Sequence, residues 1–100
     1  MADMARGIGR TREQMLAAPP GAIFIWGGHE LRYAVRLAAD IGRGDLRIRP
    51  LSWFDDGAWR GLDMTGLVID HAVAMSCERF ASLREIRSVA ERPAVAAIGE

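Results

Sequence analysis

The sequence predicts an α/β protein in which a small, mostly parallel sheet of about four strands is flanked by helices as a three-layer sandwich. Residues 22–26 and 67–69 are short apolar runs of strand length without alternating polar residues, which is typical of strands buried on both faces. Segments with apolar residues at helical spacing separate these runs. Strands that alternate with helices along a chain form parallel sheets, so both observations indicate the same fold class.

The first helix and the first strand lie in the first quarter of the chain. Residues 11–18 are good helix formers with Thr11 as a candidate N-cap, and the proline pair that follows must end the helix. Residues 22–26 are apolar throughout and predict a buried strand. The glycine pair Gly27 and Gly28 ends that strand.

A second helix and an edge strand follow. Residues 29–41 carry apolar residues at helical spacing, while Arg32 and Arg36 share the opposite face. Residues 46–51 alternate leucine and isoleucine with arginine, so this strand has one polar face. Pro50 lacks a backbone N–H and favours a position at the sheet edge.

The second half of the chain begins with an expected loop. Residues 52–64 contain an Asp-Asp-Gly turn signal and are predicted as an ordered loop. Residues 67–70 form the third buried strand, and residues 76–90 return to helical spacing. Residues 94–98 predict a last short strand.

Composition excludes several classes of function. The chain has 100 residues, half of them hydrophobic, which describes a single α/β domain over residues 1–100. Its 13 basic and 13 acidic residues balance, so no net charge draws it to nucleic acid. The one cysteine, Cys77, cannot form an internal disulfide, and no apolar run approaches the ~18 residues of a membrane helix. We therefore expect a cytoplasmic protein that does not enter a membrane.

Two short segments carry a resemblance to nucleotide-binding proteins. Residues 9–11 read Gly-Arg-Thr, and residues 68–71 read Val-Ile-Asp-His at the end of the third strand. In these segments the chain resembles small phage or prophage proteins related to P-loop ATPases. The resemblance spans about the first three quarters of the chain.

This resemblance implies a weak site for a nucleotide, ATP with Mg²⁺, or for phosphate, and no other cofactor. The metal ligands that it implies are Thr11 and Asp70. The residues that it places near the nucleotide are Gly9, Arg10, Thr11, Asp70 and His71. Against the full P-loop pattern, Met4 replaces the first glycine and Arg10 replaces the lysine, in a chain that contains no lysine. A guanidinium is too broad for the place of an ammonium, so the resemblance implies no efficient hydrolysis and assigns no catalytic residue.

The carboxyl ends of parallel strands are where open sheets bind ligands. Gly27 and Gly28 could hold an anion at the start of the next helix, or could simply form a tight turn. Asp70 could ligate Mg²⁺ through water or cap the next turn, and His71 could act as a base or make a structural hydrogen bond. Since neighbours in a strand point to opposite faces, Asp70 and His71 are not expected to serve one metal.

Two other surfaces leave alternative functions open. The predicted loop contains three large aromatic residues, Trp53, Phe54 and Trp59. They could anchor a protein partner, for example in the inhibition of a host factor, or form a lid over the core. Four arginines could contact the phosphates of nucleic acid, but nearby acids favour a solvated face; they are Arg32, Arg36, Arg47 and Arg49. Weak nucleotide binding, a non-enzymatic protein-binding module and nucleic-acid binding are therefore three hypotheses.

Overall fold

A computed structural model of the chain describes residues 2–62, 66–86 and 89–91, with side chains for residues 9–62 and 66–86. The helices are α1 (Ala2–Ala17), α2 (Leu31–Asp40), α3 (Leu51–Asp55) and α4 (Cys77–Glu85). The strands are β1 (Ile23–Trp26), β2 (Arg47–Pro50), β3 (Leu67–Ile69) and β4 (Val89–Glu91).

The strands form a small open parallel sheet. Strand β1 lies between β2 and β3 and runs parallel to both. Strand β4 pairs with the other side of β3, also in parallel. The α/β class and the pairing of β1 with β3 are therefore confirmed, as is the position of β2 at an edge.

Strand β1 is buried on both faces because its side chains alternate between two apolar clusters. One cluster joins Ile23 and Ile25 to residues of α3 and α4, among them Phe54 and Leu83. The other joins Phe24 to apolar residues of α1 and α2. Neighbouring side chains in a strand point to opposite faces, so the two clusters lie on opposite sides of the sheet.

The first helix begins earlier than predicted. Helix α1 starts at Ala2, so Thr11 lies inside the helix and is not its N-cap. The residues before Thr11 include alanines and methionines, which favour helix, and each interior glycine opposes it by only about 1 kcal/mol. The predicted end is confirmed, because α1 ends at Ala17, before the proline pair.

Two later elements also differ from the prediction. The expected loop over residues 52–64 begins with helix α3, and Gly57 follows that helix with a φ of 75°. Helix α4 ends at Glu85 instead of continuing to residue 90. Ile86 has extended backbone, and residues 89–91 pair with β3, so strand pairing prevails over helical spacing. The strand predicted over residues 94–98 lies outside the described residues.

One arginine holds the carboxyl end of α1. Arg43 Nη1 donates to the carbonyl oxygen of Met15 at 2.6 Å, and Nη2 donates to that of Pro19 at 3.2 Å. The last carbonyls of a helix have no partner within the helix, so the guanidinium supplies one. Asp45 holds the guanidinium in turn, with Oδ1 at 3.1 Å from Nε, and its other oxygen accepts from Gly21 N at 2.7 Å.

The contacts of Asp45 predict a contribution to stability that acid removes. Hydrogen bonds from Arg43 and Gly21 hold the pKa of Asp45 well below its ordinary value of 3.8. A carboxyl group whose pKa is lowered by folding stabilises the protein fully above the unfolded pKa, and this stabilisation is lost as the pH falls through the folded pKa. We expect Asp45→Asn to flatten the fall of melting temperature below about pH 4. Asp56→Asn, at an exposed position, is the control, and an acid slope unchanged by Asp45→Asn would contradict the assignment.

The burial of β1 and β3 predicts that a charge in either strand unfolds the protein. Ile25→Asp or Val68→Asp should abolish cooperative thermal unfolding, measured by circular dichroism. An unpaired buried carboxylate costs several kcal/mol, which is comparable to the whole stability of a small domain. Leu16→Asp is the matched control, because Leu16 is 51% exposed and should tolerate the same charge. A native-like melt of Ile25→Asp would refute the assignment of β1 as a central strand.

Candidate functional site

The structure brings together the two residues that the resemblance implies as metal ligands. Thr11 Oγ1 donates a hydrogen bond to Asp70 Oδ1 at 2.8 Å, although 59 positions separate them in sequence. Thr11 lies on α1, and Asp70 directly follows β3. The two residues are only 5% and 2% exposed. Helix α1 therefore contacts the carboxyl end of β3 through a buried polar pair.

Gln14 adds two hydrogen bonds to the same contact. Its Nε2 donates to the carbonyl oxygen of Ile69 at 3.0 Å, and its Oε1 accepts from the backbone N–H of His71 at 2.8 Å. The sequence interpretation missed this residue. Gln14 follows Thr11 by three positions and so shares its face of α1, which is the signal that could have indicated it.

His71 lies beside both partners of the buried pair. Its Nδ1 is 3.3 Å from Asp70 Oδ1 and 3.5 Å from Thr11 Oγ1. The Thr11 hydroxyl donates its hydrogen to Asp70, so a tautomer with the hydrogen on Nδ1 suits both neighbouring oxygens as acceptors. Asp70 and His71 do not diverge as neighbours within a strand would, because both follow β3 and His71 lies in a turn. That the two residues do not serve one metal stays a prediction.

The arrangement can orient a base and present oxygen ligands. A carboxylate bonded to one ring nitrogen fixes the tautomer of a histidine, as in many metal and catalytic sites. The side chain of His71 is 22% exposed, so solvent reaches the cluster at the imidazole. Within the described residues, no group of three or more His, Cys, Asp or Glu could hold a metal. An ion at Asp70 therefore needs further ligands from a bound molecule or from water.

The phosphate half of the implied site has a different form. Gly9, Arg10 and Thr11 all lie within α1, and the backbone N–H groups of a helix interior bond to its own carbonyls. In a P-loop, by contrast, such groups point toward the phosphates. The side chain of Arg10 is exposed. This segment therefore offers a phosphate one exposed guanidinium and no backbone cradle.

The glycine pair after β1 is explained by close packing. A Cβ on Gly27 would lie 2.8 Å from Val73 Cγ2. A Cβ on Gly28 would lie 2.5 Å from the indole ring of Trp26. Both distances are too short for any larger residue without a shift. The geometry thus favours the tight-turn alternative over an anion site for Gly27 and Gly28.

The aromatic residues are divided between the core and the surface. Phe54 and Trp59 are 1% and 5% exposed, and Trp59 Nε1 donates to the carbonyl oxygen of Phe54 at 2.9 Å. Trp53 is partly buried against the same cluster. Two of the three residues proposed as partner anchors, Phe54 and Trp59, are thus covered by packing in the core. Their arrangement favours the core-lid alternative.

The charged residues near these aromatics are also paired. Arg79 Nη2 and Nε donate to the two carboxylate oxygens of Asp55 at 2.8 and 3.0 Å, and these hydrogen bonds lower the pKa of Asp55. Asp55 ends α3 and Arg79 lies in the first turn of α4, so the pair joins the two helices. The acidic character of the segment is therefore partly neutralised.

The four arginines of the nucleic-acid hypothesis do not form one surface of free cations. Arg32, Arg36 and Arg47 are exposed. Arg49 Nη1 instead donates to the carbonyl oxygen of Ile48 at 3.0 Å, within the edge strand. Asp40 follows Arg36 by one turn on the same face of α2. The solvated-face alternative is favoured.

Comparison of the chain with protein-family models, with curated proteins and with solved structures found no match in any of the three. In the part of the chain that the structure describes, no helix is both long and apolar enough to cross a membrane.

The burial of Trp59 predicts a loss of stability when it is truncated. Trp59→Ala should lower the free energy of unfolding by ~3 kcal/mol or more, because it removes a large buried ring and leaves a cavity. Trp53→Ala is the matched control and should cost less, since Trp53 is only partly buried. Chemical denaturation of both variants measures the difference. Equal stability of Trp59→Ala and the native chain would remove Trp59 from the core.

Proposed function

We propose that the protein is a small accessory protein of the phage type with a degenerate P-loop-like fold. It binds a nucleotide or phosphate weakly together with Mg²⁺ and does not hydrolyse it efficiently. The observation that carries this proposal is the 2.8 Å contact between Thr11 Oγ1 and Asp70 Oδ1 at the carboxyl end of β3. It joins the only two residues that the resemblance implies as metal ligands.

The separation of these two oxygens suits a shared Mg²⁺. Magnesium prefers octahedral coordination with oxygens at 2.0–2.1 Å, so neighbouring ligands lie roughly 2.9 Å apart. Thr11 and Asp70 supply two such neighbours, at 2.8 Å. Water and phosphate oxygens complete the shell, as they usually do for Mg²⁺. With so few protein ligands, the ion and the nucleotide bind together.

The same region supports binding without efficient turnover. Phosphoryl transfer depends on positioning and on charge held around the phosphate. Here the backbone of residues 9–11 is helical and Arg10 is exposed, so neither a cradle nor a fixed cation surrounds the phosphate. We therefore expect a dissociation constant on the order of millimolar.

The finer architecture belongs to the same proposal. A sheet of four strands between two helical layers is supported by the two apolar clusters on either face of β1. The proposal also includes a single cytoplasmic domain over residues 1–100. The pairing of β4 with β3 supports the fourth strand.

Mg²⁺-dependent binding is tested by calorimetric titration with ATP, in Mg²⁺ and in EDTA. Asp70→Asn keeps an oxygen that accepts from Thr11 but loses the charge that attracts the ion. In this variant we expect the gain in ATP affinity that Mg²⁺ gives to fall by tenfold or more, and tenfold corresponds to about 1.4 kcal/mol. Asp56→Asn is the control and should bind like the native chain. Native binding that is equal in Mg²⁺ and EDTA would refute the metal role.

A companion variant tests the phosphate half of the proposal. Arg10→Lys replaces a broad guanidinium by a compact ammonium and should strengthen ATP binding several-fold. Arg12→Lys makes the same change two positions away, on the exposed part of α1, and should have no effect. Equal binding by the two variants would show that Arg10 is not near the phosphates.

A non-enzymatic protein-binding module, such as an inhibitor of a host factor, is a second candidate. It is supported by Trp53, the one residue of the aromatic trio that stays partly exposed. The Trp53→Ala variant tests it as well. The hypothesis is supported if this variant melts near the native temperature but no longer captures a protein that the native chain captures from host extract. Unchanged capture would show that Trp53 does not bind that partner.

A further inference from the structure

The outer face of α2 is uncovered in the described part of the chain. Ala34 and Ala38 bury the opposite face against the sheet. Two of the exposed residues are large and apolar, Tyr33 at 43% and Val35 at 48%. The ring centroids of Tyr33 and Trp26 are 5.8 Å apart. Trp26 and the exposed residues of α2 line an open groove of about 940 Å³. The exposed residues of this face are Arg32, Tyr33, Val35, Arg36, Ala39 and Asp40.

The charges around this groove are balanced and unpaired. Arg32 and Arg36 are matched by Glu30 and Asp40, and within the described residues none of the four has an ion-pair partner. The whole chain also has a formal net charge of zero. A strongly acidic or strongly basic partner is therefore not favoured. The balanced charges instead favour a partner that carries the same mixture of charges. Two copies of this chain meet that condition, and because each is neutral they do not repel each other at long range.

We propose that a second copy of this chain packs on this face, as a two-fold dimer with antiparallel α2 helices. In the proposed register, Val35 of each copy contacts Ala39 of the other. A helix rises 1.5 Å per residue, so Asp40 of one copy then lies within about 3 Å, along the helix axis, of both Arg32 and Arg36 of the other. A two-fold axis repeats this contact, as in every isologous interface.

The chemistry of the face suits a small interface of this kind. Arginine is enriched in protein interfaces, and the contact between Val35 and Ala39 at the centre is apolar. Helix α2 has ten residues and is therefore about 15 Å long. An interface on one such helix is at the low end of the usual size range, so the dimer forms at micromolar or higher concentrations. This inference is independent of nucleotide binding.

A charge exchange tests the dimer by sedimentation equilibrium over a concentration series. The native chain should approach twice the 11.0 kDa of one copy. In one variant, Arg32→Glu with Arg36→Glu, the new acids face Asp40 of the other copy. In the other variant, Asp40→Arg, the new arginine faces Arg32 and Arg36 of the other copy. Each variant alone should dimerise at least about tenfold more weakly, because like charges then face each other. An equimolar mixture should regain native association, since every contact again joins arginine to an acid.

The control changes the same charge elsewhere. Arg12→Glu with Arg84→Glu lies at exposed positions of α1 and α4 and should dimerise like the native chain. Circular dichroism establishes that each variant is folded. A native chain that stays monomeric throughout overturns the proposal and leaves the face to an unlike partner. A dimer that both charge variants retain, or folded variants that fail to associate when mixed, overturns it equally.

Discussion

The buried hydrogen bond between Thr11 and Asp70 constrains everything near the carboxyl edge of the sheet. A carboxylate taken out of water must receive donors, and here they are the Thr11 hydroxyl and Nδ1 of His71. The hydroxyl reaches Asp70 only if α1 contacts the end of β3. Gln14 then bonds the backbone on both sides of Asp70, at Ile69 and His71. The contacts of this one buried carboxylate thus link the position of α1, the direction of the chain after β3 and the place of the His71 ring.

Polar contacts hold α1 at a second point, near its carboxyl end. Arg43 reaches the last carbonyls of the helix, while Met15 packs into the apolar cluster between the two polar contacts. The buried stripe of α1 therefore mixes a hydroxyl and an amide with apolar side chains. Each neutral hydrogen bond of this kind contributes only about 1 kcal/mol. The position of α1 accordingly depends on several named contacts together, and no one of them suffices.

The predictions succeeded where apolar pattern alone decides the structure. Strands β1 and β3 were predictable because a continuous apolar run has no stable place except between two layers. The start of α1 was not, because Gly7 and Gly9 lie in its first half and glycine opposes helix. The contacts of Gln14 and Arg43 were not predicted, since most of their partners are backbone groups, which leave no signature in sequence. The helical spacing of Gln14 from Thr11 indicates only the face on which it lies. Trp59 suits a core lid and a partner anchor equally well by residue type, and only its burial separates the two roles.

The proposed ion and the fold compete for the same two oxygens. The Thr11 hydroxyl donates a hydrogen bond to Asp70, and both residues are buried. An ion that takes both oxygens as ligands must turn the hydroxyl hydrogen away and so replaces a hydrogen bond to a charged group, worth about 1.5–3 kcal/mol. It must also enter past the imidazole, the exposed side of the cluster. The chain contains no lysine, and the helical residues 9–11 provide no backbone cradle in return, so this competition would limit the affinity of the proposed site. The contact that positions α1 would thus also weaken the proposed binding of a nucleotide.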